Sequence, residues 1–165
     1  MLPDPSMTAM VNAPPTPKAV RDALEELLGR APNVVPGVPY APGHGESASH
    51  AVYVDSRMRT RGVVTADLRC SAYLAAMAAR IPAGGLEEVW KQRRLGASLN
   101  GRLDRVLGGL ASLFGDQTRC YASYPPPAEP PADVAAFARS LGGRLDLAVG
   151  FPQYGIGRLS FVAVP

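Results

Sequence analysis

A chain of 165 residues, 47% hydrophobic and 19% charged, has the length and composition of one globular domain. A domain of this size buries roughly two-thirds of the surface its unfolded chain exposes. A formal net charge of +3 is too small to argue for nucleic acid on its own. No apolar run approaches the ~20 residues that span a bilayer.

The N-terminus lacks a basic region followed by a long apolar run, so no signal peptide is read and the expected location is the cytoplasm. Cys70 and Cys120 form neither a metal spacing nor a redox pair and read as free, partly buried thiols. The 17 prolines crowd into residues 2–17, 35–42 and 124–131, which read as tail and loops. Residues 1–17 are expected to form a disordered tail and 18–165 a single domain.

The first helix is expected to open at Thr16-Pro17, with Val20, Leu24, Leu27 and Leu28 at helical spacing, and to stop at Gly29 or Ala31-Pro32. Residues 33–49 read as loop or irregular extended chain. His44, Glu46 and His50 fall in or beside it, but a third well-placed metal ligand is missing, so no metal or other cofactor is expected. Residues 50–54 and 62–69 read as β-branched strands joined by a hairpin-like connection. Arg57, Arg59 and Arg61 alternate around that connection. If extended, they would share one face and could grip an anion, though no aromatic residues interleave to stack on bases.

Residues 71–81 predict a helix with Ser71 as its N-cap. Residues 86–114 predict one long helix, or a pair broken near Gly96 with Ser98 capping the second. Leu99, Leu103, Val106, Leu107, Leu110, Leu113 and Phe114 form its apolar stripe. Gly96, Gly101, Gly108 and Gly109 each weaken such a helix by about 1 kcal/mol relative to Ala, so packing must hold it. Glu87 and Glu88 suit a first helical turn, where carboxylates meet the positive end of the helix dipole. Residues 117–124 read as a strand, 131–141 as a short helix, and 144–151 with 158–165 as a closing hairpin. The order predicts an α+β domain. Its antiparallel or mixed sheet has about five to six strands, with helices packed mainly on one face.

Phosphate-loop, dinucleotide-binding and nucleophile-elbow motifs are absent from the sequence. The layout resembles the CheX/CheC family of chemotaxis phosphatases across about residues 24–164. The resemblance rests on the 62–68 strand, the 71–81 helix leading through Gly84-Gly85-Leu86-Glu87-Glu88 into the next, the 117–126 strand ending at prolines, and the closing hairpin with Phe151-Pro152 and Tyr154-Gly155. It implies a CheX-like fold, a homodimer, and action on the phosphoaspartate of a response-regulator receiver domain. The family signature is a Glu and an Asn three residues apart on the long helix, with a proline further on. Asn100 and Pro125 match the latter two; Ala97 stands where the Glu belongs.

By that resemblance, the Asn100 amide would orient the attacking water and the missing acid would have paired with a receiver lysine. Acyl-phosphate hydrolysis depends largely on placing water in line. The expected function is therefore a CheX-like signalling domain that binds a receiver or other protein with catalysis lost or weak. Two alternatives stand beside it. One is an active phosphatase working through Asn100. The other is an unrelated α+β protein that takes an anionic partner through Arg57, Arg59 and Arg61, with Arg93, Arg94, Arg102 and Arg105 in support.

Overall fold

In the computed structural model, residues 13–43 and 46–164 are described; His44 and most of the N-terminal tail (residues 1–12) lie outside them. Six strands form one antiparallel sheet: β1 (Asn33–Pro36), β2 (Ala48–Val54), β3 (Thr60–Asp67), β4 (Arg119–Tyr124), β5 (Arg144–Phe151) and β6 (Gly155–Ala163), in the order β1-β5-β6-β3-β2-β4. The closing hairpin β5–β6 forms as its alternating pattern requires, in register from Arg144↔Val162 to Phe151↔Gly155. The domain is α+β, as expected.

Helix α1 (Pro17–Leu28) begins where the sequence indicated. Thr16 Oγ1 accepts the Ala19 N–H at 3.1 Å, and Gly29, at φ 80°, closes the last turn onto the Glu25 carbonyl. Val20 and Leu24 are fully buried. Residues 33–49 depart from expectation at both ends. Asn33–Pro36 pairs with β5 as an edge strand, and β2 starts at Ala48 rather than His50. The β-branched pair Val34-Val35 suits the edge, where Pro36 can be tolerated.

Helix α2 (Leu68–Ala79) starts three residues before the predicted cap. Asp67 is the cap, its Oδ1 accepting the Cys70 N–H at 2.8 Å and the Arg158 N–H at 3.1 Å. Ser71 is inside the helix, fully buried. Its hydroxyl donates to the Asp67 carbonyl at 2.8 Å and meets Ser49 Oγ at 2.8 Å. A carboxylate accepting two amides outcompetes a hydroxyl for the cap. Gly157 is needed here because a Cβ would lie 2.6 Å from Cys70 Cα, so β6 rests directly on the start of α2.

The 86–114 stretch is broken. A 3₁₀ turn (Ala83–Leu86) leads into α3 (Glu87–Gln92), which ends at Arg93 in the left-handed conformation, φ 53°. Helix α4 (Ala97–Gly109) restarts from an extended Gly96, and a second 3₁₀ turn (Ala111–Phe114) follows. The capping residue is Gly96, not Ser98, which is exposed inside the first turn. Of the four glycines in this stretch, only Gly109 is in close contact: a Cβ there would meet Leu27 Cδ2 at 2.4 Å, whereas Gly96, Gly101 and Gly108 face open space.

Helices α1, α2 and α4 cover one face of the sheet. Phe161, Leu159, Tyr53, Val64, Leu74, Leu103 and Leu107 fill the layer between. The short α5 (Ala132–Ala138) lies on the opposite face, where Val134 and Ala138 meet Val52 and Val63. Helices are thus packed mainly on one face, with α5 the exception.

Candidate functional site

The buried stripe of α4 is Leu99, Leu103, Val106 and Leu107, which sets the polar residues at its margin. Asn100 is half-buried at the edge of this stripe. Its side-chain Oδ1 is buried and has no hydrogen-bond partner among the described residues. Ala97 is exposed one turn before it, a methyl group on the surface. Asp104, one turn after it, accepts the Ser123 hydroxyl of β4 at 2.6 Å and so ties α4 to the edge strand. Pro125 follows β4 and is half-buried. The margin therefore offers one amide and one carboxylate, and that carboxylate is engaged by the scaffold.

Arg57, Arg59 and Arg61 surround Asp55 rather than an open face. Asp55 Oδ1 accepts the N–H groups of Arg57 and Arg59 at 2.9 and 3.0 Å. Its Oδ2 takes the Arg59 guanidinium at 3.0 Å, with Arg61 at 3.9 Å. Met58, at φ 63°, turns the chain tightly, so the residues are not extended as the alternation presumed. The Arg59 N–H chiefly, with the Arg57 N–H and the Arg59 guanidinium, holds the Asp55 carboxyl below its ordinary pKa against some burial. Among the described residues Arg57 makes no ion pair.

His50 lies on the floor of a cleft of about 170 Å³ between α5 and the chain after β1, whose lining includes Glu46, Ser47, Pro126, Pro127 and Arg139. Only 5% of His50 is exposed, and its Nδ1 has no partner among the described residues. Burial, then the charge of Arg139, lowers its pKa to about 4, so it is neutral at pH 7. Among the described residues no group of three or more His, Cys, Asp or Glu is placed to hold a metal ion. Both thiols are free, Cys70 buried and Cys120 half-buried.

Two arrangements escaped the sequence reading. One is a charge pair, Arg144–Asp146, buried on the α5 side of the sheet; two opposite charges two apart on a strand were its available signal. The other is an exposed aromatic group around Trp90, the only tryptophan in the chain. Its partners come from three separated segments, and no spacing in the sequence links them.

No protein-family model matches the chain, and no curated protein matches its sequence. Solved structures do match. A chain of the FliM–SpeE complex from H. pylori aligns at TM-score 0.61 with 8% identity, covering 90% of this chain and 81% of that one. The FliM middle domain from H. pylori aligns at TM-score 0.55 with 9% identity, covering 90% and 84%. The chemotaxis protein CheX from Vibrio vulnificus is also matched, at TM-score 0.38 and 16% identity, covering 88% and 93%. Identities this low show the fold alone. The α+β fold expected from the sequence is the fold of this chain, and it is similar to that of the FliM middle domain.

Proposed function

We propose that the chain is a partner-binding signalling domain of the CheX-like kind, with a receiver domain as its partner class and little or no phosphatase turnover. The observation that carries this reading is the margin of α4. An exposed methyl group at Ala97 offers no charge for a receiver lysine, and the Asn100 amide oxygen is turned into the protein. An amide constrained in this way is a poor device for holding a water in line with an acyl phosphate. Partner binding as such is supported by the fold. FliM of H. pylori, which this chain resembles, forms a complex with SpeE. The Asp55 clamp on Arg59 and Arg61 weighs against the reading in which the arginine cluster takes an anionic partner.

The test is a phosphorylated receiver domain titrated with the protein, followed for both binding and loss of phosphate. Binding without acceleration, and a decay rate indifferent to Asn100→Ala, is the expected result. Acceleration by the native chain that Asn100→Ala removes would establish the active phosphatase instead. Light scattering on the same samples reports self-association. The two open sheet edges, β1 and β4, are where the homodimer implied by the CheX resemblance would form.

A further inference from the structure

Trp90 stands on α3 with 38% of its surface exposed, and Ile156 stands at the start of β6 at 65%. Between them lies Tyr73 of α2, only 8% exposed, and its ring organises the group. Trp90 meets Tyr73 edge-on at 5.8 Å between centroids, while Phe151 and Tyr154 lie at 5.6 and 5.7 Å. The turn is pressed onto the ring, since a Cβ at Gly155 would lie 2.8 Å from the Tyr73 hydroxyl. The Tyr154 hydroxyl donates to the Ile81 carbonyl beyond α2. Three separate segments thus hold a rigid apolar platform facing solvent beside a shallow depression of about 460 Å³.

Two guanidiniums flank the depression, Arg69 at the start of α2 and Arg93 just past α3. Both are exposed, and neither joins an ion pair among the described residues. Two neighbouring acids are engaged by other groups, while Glu87 is exposed and the Arg69 charge also acts on Asp67. Asp67 accepts the Cys70 and Arg158 amides, and Glu88 is engaged by Lys91 and Gln92. Fixed Trp and Tyr rings beside Arg are the composition of interface hot spots, and a platform already ordered loses little entropy on binding.

We infer that Trp90, Tyr73, Tyr154 and Ile156, with Arg69 and Arg93, form a docking surface for an acidic peptide segment carrying a bulky apolar side chain. The apolar side chain lies against Trp90 and Ile156, and flanking carboxylates meet the two guanidiniums. Single-stranded nucleic acid fits less well. The rings are tilted or edge-on to one another and leave no ladder for stacked bases, and two cations neutralise little of a phosphate backbone. This inference deepens the partner-binding reading by assigning a surface to it, and it rests on that reading.

Random twelve-residue peptides selected on the full chain at low salt test it without any receiver domain. Enrichment of Asp and Glu around a Leu, Phe or Met is expected. Trp90→Ala, and separately the double change Arg69→Glu with Arg93→Glu, should each weaken a selected peptide at least about tenfold, the scale of a single hot spot. Arg57→Glu should leave it unchanged. The double change touches only exposed side chains, so it stands even if Trp90→Ala disturbs Tyr73. Selection of neutral or basic peptides, binding indifferent to both variants, no selected peptide at all, or tighter binding of a single-stranded oligonucleotide overturns the proposal. Receiver binding measured on the same variants is a separate readout, so a receiver that binds through neither arginine leaves the partner-binding reading intact and removes this surface from it.

Discussion

The two faces of the sheet are built on opposite rules. The face toward α1, α2 and α4 is a mainly apolar layer, interrupted by the Ser49–Ser71 hydroxyl pair, with Phe161, Leu159, Tyr53, Leu103 and Leu107 essentially without exposure. The opposite face carries a buried polar row across four strands: His50 on β2, Thr65 on β3, Ser160 on β6 and Asp146 on β5, each the register partner of the next. One end of the row is saturated. Arg144 grips Asp146 with two bonds of 2.8 Å and also donates to Ser160 and to the carbonyls of Tyr40, Ala138 and Ser140. At the other end, His50 Nδ1 and Thr65 Oγ1 have no partner among the described residues. The helical face is held by area; the polar face is held by geometry that is complete at Asp146 and incomplete at His50.

The largest expected effect is on the helical face. Phe161→Ala removes a fully buried ring that packs on Phe114 and leaves a cavity between sheet and helices. The cost should be about 3–5 kcal/mol in urea unfolding. A loss under about 1 kcal/mol would mean that this layer does not carry the fold, and the contrast between the faces would collapse.

Next is the saturated end of the polar row. Both side chains of the Arg144–Asp146 pair are nearly buried, at 10% and 8% exposure. Burial pushes the Asp146 carboxyl up, but the Arg144 guanidinium, the Tyr40 N–H and Ser160 outweigh it and hold the pKa below the ordinary value. Asp146→Ala strands a buried guanidinium and should cost about 3 kcal/mol. Arg144→Met with Asp146→Leu should recover much of that, because the isosteric apolar pair leaves no charge uncompensated. If the double variant is as unstable as the single one, the hydrogen bonds that Arg144 and Asp146 make to Tyr40, Ala138, Ser140 and Ser160 carry the cost, not the stranded charge.

The helical face was legible in the sequence because one-sided apolar spacing has a period that a reader can count. Val20 and Leu24, the Leu99-to-Leu107 stripe and the β5–β6 alternation all lie where that period puts them. Asn100 lies on the stripe's margin, yet the burial of its Oδ1 depends on what packs around it and has no trace in spacing. The break in residues 86–114 was visible only as an alternative, since Arg93 supplies the left-handed turn without a glycine to signal it. The strand at Asn33–Pro36 was missed because a short edge with a proline reads as loop until its partner β5 is known. The polar row could not be read at all: its members are far apart in the chain, and register alone aligns them.

The smallest effect, and the most diagnostic of the incomplete end, is on His50. Its pKa falls from 6.5 to about 4 in the folded chain, through burial first and the nearby charge of Arg139 second. Above pH 6.5 the imidazole is neutral in both states and its contribution is intact. As pH drops below 6.5 the unfolded chain binds a proton that the fold refuses until about pH 4, so stability is lost across that window and no further below it. By pH 5 the loss should be about 2 kcal/mol. His50→Leu removes the titrating group and should flatten the urea midpoint between pH 7 and pH 5, whatever it does to stability at pH 7. Ordinary carboxylates titrate mostly below this window. Asp67, whose carboxyl burial pushes up, adds stability as pH falls and so acts with the opposite sign. His44 is the chain's one other histidine. A loss of stability with falling pH that survives in His50→Leu would therefore assign the titration to a group other than His50.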